Sequence, residues 1–386
     1  MHIDRKILLL IIFPLIGYAI WAMFRLSVGV FIPEIMMEYN LVEAEGGAIV
    51  SLLLGTMAVF MILGGFLSDK VGTKTAMSIG FTILSCGLIF GGYSYNYSTL
   101  LLALLITGTG AGIFTPPLYA FVGNLIPASR GTIVGITNGF YGLGGFIGPW
   151  LSAILILAFS WRSPFRLIGA ISLVLSLILW LSRQKEADQK KILKKSTISP
   201  FHFFKGSRII LLCIGIAIAS LAFSSFATWA PSYMVKIGGL DLSNAGFSFG
   251  LFSIIGAIGA IFFGILSDKI GRRNSILASG LPGFILSLLY FSGYIQEIGL
   301  IILSGMIGFT AFAYWNLIIS AAQDGVSNEL IGSVTGTIQG VAYISSAVAP
   351  TISGFMISKY GFSIALILSV ALPQFIYAVI VSKAAT

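Results

Sequence analysis

Gly65-Phe66-Leu67-Ser68-Asp69-Lys70-Val71-Gly72-Thr73-Lys74 closes one apolar run of the chain, and 199 positions later Gly264-Ile265-Leu266-Ser267-Asp268-Lys269-Ile270-Gly271-Arg272-Arg273 closes another. A ten-residue motif that returns in the same setting marks an internal duplication. A second match stands at an offset of 201, where Gly131, Gly135, Gly139 and Pro149 return as Gly332, Gly336, Gly340 and Pro350. Repeated halves of this size are a common plan of membrane carriers.

Outward from the motifs, the chain is a series of apolar runs. A helix needs about 20 apolar residues to cross ~30 Å of hydrocarbon. Twelve runs qualify, at roughly 7–32, 46–67, 75–94, 98–126, 131–158, 164–182, 209–235, 244–267, 275–294, 298–325, 331–357 and 361–382. They are too long and too continuous for barrel strands, which alternate over about ten residues. The first run follows Arg5 and Lys6 but outlasts a secretory apolar region and ends at no small-residue cleavage site, so it reads as a span. The composition agrees: 57% of the 386 residues are hydrophobic and 9% charged, with a mean hydropathy of +1.00. A soluble domain carries about a quarter charged residues. The expected fold is an all-α membrane protein of twelve transmembrane helices in two pseudo-symmetric six-helix bundles. These are residues 1–182 and 209–386, joined by a basic cytoplasmic linker at 183–208 (RQKEADQKKILKKSTISPFHFFKGSR) beside anionic headgroups.

The net charge of +9 is a matter of topology. With the N-terminus in the cytoplasm, the inner segments hold Arg5, Lys6, Lys70, Lys74, Arg130, Arg183, Lys185, Lys190, Lys191, Lys194, Lys195, Lys205, Arg208, Lys269, Arg272, Arg273 and Lys383. The outer ends hold Arg162, Arg166, Lys236 and Lys359. This positive-inside bias puts both termini in the cytoplasm of a cell whose cytoplasmic membrane holds the chain, and leaves no basic excess for nucleic acid. Cys86 and Cys213 lie in apolar runs, and His2 and His202 lie in the tail and linker. No metal, cofactor or histidine chemistry is expected, and no nucleophile–base set or paired carboxylates point to an enzyme. The expected unit is a monomer in its bilayer.

The repeated motif has a mechanical sense. Gly65 and Gly264 can let helices approach closely, and Gly72 and Gly271 suit a tight turn. Asp69 and Asp268, among the cations Lys70, Lys74, Arg130, Arg272 and Arg273, can pair with arginines or a helix N-terminus at the membrane edge. The fifth run carries Gly135, Gly144, Gly148 and Pro149, which serve close packing and a local flexible point.

A solute site must come from side chains inside the spans, where ionisable groups are costly and therefore informative. Arg25 is the one basic residue well inside an apolar run. Pro14, Tyr18, Trp21, Arg25 and Gly29 recur at steps of three and four and share a face. Two aromatic walls and a guanidinium suit a carboxylate, which arginine grips with two parallel hydrogen bonds. The alternatives are that Arg25 snorkels to the outer headgroups or pairs with Glu34.

Taken over the whole chain, the sequence resembles the major facilitator superfamily. The family signature G-x-L-[SA]-D-[RK]-x-G-[RK]-[RK] is complete in the second copy and departs in the first only at Thr73. The fifth run resembles the family's antiporter motif, with Ser152 and Ala153 in place of its last two glycines. Arg25-Leu-Ser-Val-Gly-Val-Phe-Ile-Pro33-Glu34-Ile resembles the first helix of organic-anion carriers in the anion:cation symporter branch, with Phe24 where an acidic residue often stands. The resemblance implies alternating access and a cytoplasmic lock built from the loop motif. It also implies a cavity lined by helices 1, 4, 5, 7, 8, 10 and 11. That places Tyr119, Asn138, Tyr141, Ser224, Ser225, Thr228, Trp229, Trp315, Asn316, Gln339 and Tyr343 beside Tyr18, Trp21 and Arg25. Asn138 and Gln339 match at the 201 offset, which suggests a paired polar contact near midplane.

The family's fourth-helix proton-coupling arginine is Leu105 here, although Gly108-Thr109-Gly110-Ala111-Gly112 is intact. No carboxylate lies mid-span, so proton coupling would have to use Glu34, Asp324 or the solute's own carboxylate. The expected function is secondary transport of a small organic anion by proton-coupled symport or exchange. The alternative is efflux of amphipathic or cationic compounds.

Overall fold

The computed structural model describes residues 5–125, 130–181, 207–326 and 331–385, with side chains described except at 5–11, 123–125, 130–135, 207 and 331–333. The expected linker at 183–208 therefore lies, but for Ser207 and Arg208, outside the described residues. The first half folds into α1 (Arg5–Tyr39), α2 (Glu43–Val71), α3 (Thr73–Gly91), α4 (Tyr97–Leu125), α5 (Arg130–Ala158) and α6 (Arg162–Leu181). The second half folds into α7 (Ser207–Lys236), α8 (Leu242–Ile270), α9 (Arg272–Tyr290), α10 (Ile298–Ala311), α11 (Ala313–Gln323), α12 (Ile331–Tyr360), α13 (Phe362–Leu366) and α14 (Leu372–Ala384).

Among the described residues, eleven spans are long and apolar enough to cross a membrane, α10–α11 and α13–α14 each counting as one. The remaining helix, α9, is less apolar because it opens with Arg272, Arg273 and Asn274 and carries several serines. Its polarity is turned inward: Ser275, Ser279 and Ser287 are buried, and Ser287 Oγ accepts from Gln374 Nε2 at 3.0 Å. Two irregularities have no counterpart in the apolar pattern. The tenth span breaks at Phe312, and the last contains a π-helical turn at Ile367–Ala371.

Turn glycines behave as their motif predicts. Gly72 and Gly271 sit at φ +88° and +86°, a backbone region that costs a side chain, and they reverse the chain between α2 and α3 and between α8 and α9. Asp241 caps α8, its Oδ1 accepting from the Asn244 amide at 2.7 Å.

The helices α1–α6 meet the later ones chiefly along three pairs, α1 with α7, α2 with α12 and α5 with α8. These contacts are not even along their length. On the face away from the Lys- and Arg-rich ends, a β-carbon added to Gly246 would stand 2.6 Å from the Pro149 carbonyl oxygen, and one on Gly250 2.7 Å from that of Phe146. Gly47 lies as tightly against Pro350. Ser51 Oγ and Thr351 Oγ1 are 2.8 Å apart, and the Glu43 carboxylate takes a hydrogen bond from Ser358 at 3.0 Å and faces Lys236 at 3.7 Å. Nearer the middle, Gly55 leaves 3.8 Å to Ala347, and toward the basic face Gly139, Gly336 and Gly340 have nothing within 4 Å. The two sets of helices form a wedge, sealed on one face and parted on the other.

The loop motif lies at the parted face, which corrects one expectation. Gly65 and Gly264 meet no close neighbour, and it is Gly64, next to Gly65, that is approached tightly, by the backbone of Gly112 and Ile113. One residue of helix turns a side by about 100°, enough to take Gly65 off the α4 contact. Arg272 donates to Asp324 at 3.0 Å, to Asp268 at 2.8 Å and to Ser267, a network wholly within the second half. Asp69, Lys70, Lys269 and Arg273 are exposed, Lys74 lies 5.6 Å from the Phe121 ring centre, and the Arg130 side chain falls outside the described residues.

Candidate solute site

The first helix is held by small residues on both sides. Gly144 and Gly148 of α5 pack against the backbone of Ala19 and Met23, and Gly29 lies 2.8 Å, measured from an added β-carbon, from the Thr228 carbonyl oxygen of α7. The glycines of the fifth-helix motif therefore serve close packing of α1 on α5. Ala153, at one of the motif's departing positions, packs on Gly246 of α8. Clamped this way, α1 turns the face bearing Tyr18, Trp21 and Arg25 away from lipid, and all three are buried.

Arg25 is 8% exposed, which rules out snorkelling to headgroups. Nor does it pair with Glu34. Nine residues along a helix is about 13 Å and half a turn out of phase, so the two side chains point apart. Among the described residues no ion pair includes Arg25. What lies within electrostatic reach of its guanidinium is a set of phenols, those of Tyr141, Tyr343 and Tyr314.

Those phenols belong to a larger ring drawn from both halves. The Tyr18 and Tyr119 hydroxyls are 3.0 Å apart, and Tyr119 donates to Asn138 Oδ1 at 3.3 Å. The Tyr18 and Tyr141 rings are 5.2 Å apart, and Trp315 lies edge-on to Tyr343 at 5.7 Å. Tyr314, which is not among the expected residues although its neighbours Trp315 and Asn316 are, also lies within electrostatic reach of Arg25. It begins a helix that restarts after the break at Phe312, and that break leaves no mark in the apolar pattern.

Other expected residues are placed elsewhere. Trp229 is fully buried, gives its indole N–H to the Pro350 carbonyl at 3.1 Å and lies beside Gly354 in the sealed face. Ser224 donates to the Ser346 carbonyl at 2.8 Å and Thr228 to the Ser224 carbonyl at 2.8 Å, so both hydroxyls serve the backbone. Ser225 is buried with no hydrogen-bond partner among the described residues. Trp21 is part of the main apolar core. Asn316 and Gln339 are half-buried. No hydrogen bond joins Asn138 to Gln339; the two flank Gly139 and Gly340, on the parted side of the wedge, and Asn138 instead accepts from Tyr119.

Several acidic residues are occupied at helix ends. Glu38 takes Arg162 through both carboxylate oxygens, at 2.8 and 2.5 Å, and Trp161 at 2.7 Å. Glu43 joins the sealed face, Asp241 caps α8, and Asp268 and Asp324 hold Arg272. The site thus brings together a buried guanidinium and several phenol hydroxyls, with no acidic partner for the guanidinium among the described residues.

A sequence profile of the Major Facilitator Superfamily matches residues 14–350, and again 239–382. The chain is 27% identical over 379 residues to the hexuronate transporter of Bacillus subtilis (strain 168), covering 91% of this chain and 88% of that one. It is 23% identical over 362 residues to the "Probable sulfoacetate transporter SauU" of Cupriavidus necator, covering 87% and 84%. In three dimensions it is similar to a bacterial homologue of the human lysosomal transporter Spinster, solved inward-facing and occupied, with a TM-score of 0.81 at 16% identity over 100% of this chain and 96% of that one.

Proposed function

Because the chain belongs to the major facilitator superfamily and is a multi-pass membrane transporter, we propose that its solute is a small organic anion bearing a carboxylate, with Arg25 as counter-charge. The observation that carries this reading is the buried guanidinium among tyrosines, without an ion-pair partner among the described residues. An uncompensated charge in a protein interior costs several kcal/mol, which a carrier recovers only when a ligand supplies the opposite charge. Arginine and phenol donors together can satisfy both oxygens of a planar carboxylate. The named solutes of the two relatives, a hexuronate and sulfoacetate, are organic anions, which supports the same class.

The positive-inside bias supports a basic face turned toward the cytoplasm, in a chain carried by the cytoplasmic membrane. The wedge is then inward-facing, open to the cytoplasm and sealed outside by α2 on α12 and α5 on α8. Transport follows when the two sets of helices rock, parting the outer seal and closing the basic face around Arg25. The carrier acts as a monomer, since one chain supplies both sides of the site. Efflux of cationic compounds is disfavoured by the same guanidinium, which repels them.

A thermal-shift panel on purified protein tests the class. Hexuronates, sulfoacetate and other small organic acids should raise the melting temperature, while neutral sugars, amino acids and cationic dyes should not. Stabilisation by the dyes and by none of the acids would reverse the assignment.

A further inference from the structure

Resting on the reading of Arg25 as solute counter-charge, we propose that this carrier is an anion exchanger, in which the helix sets change face rapidly only with an anion on Arg25. The sequence has 13 acidic residues, and none lies near the middle of a span: Glu34 and Glu38 lie in the last two turns of α1, Glu43 and Glu45 start α2, Asp69 and Asp268 close α2 and α8, and Asp241, Glu297 and Asp324 stand at other helix ends. Asp4, Glu186, Asp188 and Glu329 lie outside the spans. The groups that face Arg25 are the phenols of Tyr141, Tyr343 and Tyr314, with Tyr18 and Tyr119 adjoining. Phenols ordinarily release their proton near pH 10 and stay neutral at physiological pH. A guanidinium does not give up its own. The empty site therefore keeps one uncompensated positive charge in every conformation.

In the inward-open wedge Arg25 keeps 8% of its surface exposed and the glycines of the basic face stand apart, so the charge is not yet fully cut off from water. Changing face requires both sides to close over it, which removes the water and leaves the charge alone among apolar walls and phenols. A bound monoanion cancels the charge and satisfies the guanidinium at the same moment. An inside-negative membrane potential further opposes the outward swing of an empty, positive site, but does not act on a neutral, loaded one. One monoanion leaves for each that enters, no net charge moves, and no proton acceptor is required.

The test uses wild-type protein in proteoliposomes with labelled glucuronate or, separately, labelled galacturonate, both monoanions, outside. The vesicles hold either the same unlabelled anion or buffer alone. Entry into preloaded vesicles should be at least tenfold faster than into empty ones, unaffected by a potassium–valinomycin potential and unaccompanied by internal acidification. Equal entry into empty and preloaded vesicles, or accumulation driven by a pH gradient, would overturn exchange and leave the anion assignment intact. No entry of either anion under either loading would sink the anion assignment and exchange with it.

Discussion

Arg25→Gln should reduce uptake of the carried anion about 100-fold or more, while inserting normally and melting at or slightly above the wild-type temperature. Glutamine keeps the length and some hydrogen bonding but loses the charge and the paired donors. Hydrogen bonds to charged groups are worth about 1.5–3 kcal/mol each, so losing two costs roughly 3 kcal/mol or more, and about 1.4 kcal/mol is a factor of ten. The stability readout separates this role from a structural one. Breaking a buried ion pair destabilises by about 3–5 kcal/mol, whereas neutralising an unpaired buried charge does not. Because Arg25 is buried without an ion pair among the described residues, the melting temperature is expected to hold. Arg25→Lys keeps the charge as a single point without the planar fork and should fall between the two. Initial uptake rates and thermal melts of the three proteins check the series.

A disulfide across the seal should abolish transport outright and reversibly. Ser51 and Thr351 face each other from α2 and α12 with their hydroxyl oxygens 2.8 Å apart, one in each half of the molecule. A disulfide needs β-carbons about 3.5–4.5 Å apart, and hydroxyls in direct contact bring the two β-carbons near that range. The native thiols are one exposed, Cys86, and one buried, Cys213, so the pair is best made in a Cys86→Ser, Cys213→Ala background. The doubly substituted Ser51→Cys, Thr351→Cys protein should cross-link under mild oxidant, lose uptake to the background level and regain it on reduction. Each single variant should transport. Full transport by the cross-linked protein would mean that this face never parts and that the wedge does not rock.

The sequence carried the plan of the molecule because the plan rests on repeats and apolar length. The duplicated loop motif, with glycines at the two positions that adopt positive φ, marks where α2 and α8 turn. Arg25 and Tyr18 were legible because helical periodicity puts them on one face and a charge inside a span has few uses. Legibility failed where neighbours decide. Tyr314 was missed because the break at Phe312 is a packing event: that ring fills the space beside Gly256 and meets Phe223 and Phe252. Trp229, Ser224 and Thr228 share the polarity of a binding residue, yet their donors are taken up by backbone carbonyls. Asn138 and Gln339 match in the repeat, but equivalent positions on opposite sides of a wedge touch only when that side is closed. Gly65 and Gly264 fail for a related reason, since a motif names a glycine without saying which conformation brings a neighbour to it.

The central claim is that Arg25 recognises the solute by its charge. Titrating purified wild-type and Arg25→Gln protein with glucuronate and with its uncharged amide, glucuronamide, and reading the shift in melting temperature, tests it most directly. The account predicts a saturable shift for wild type with glucuronate alone and none for the variant with either compound. An equal shift with the amide, or an undiminished glucuronate shift in Arg25→Gln, would contradict it.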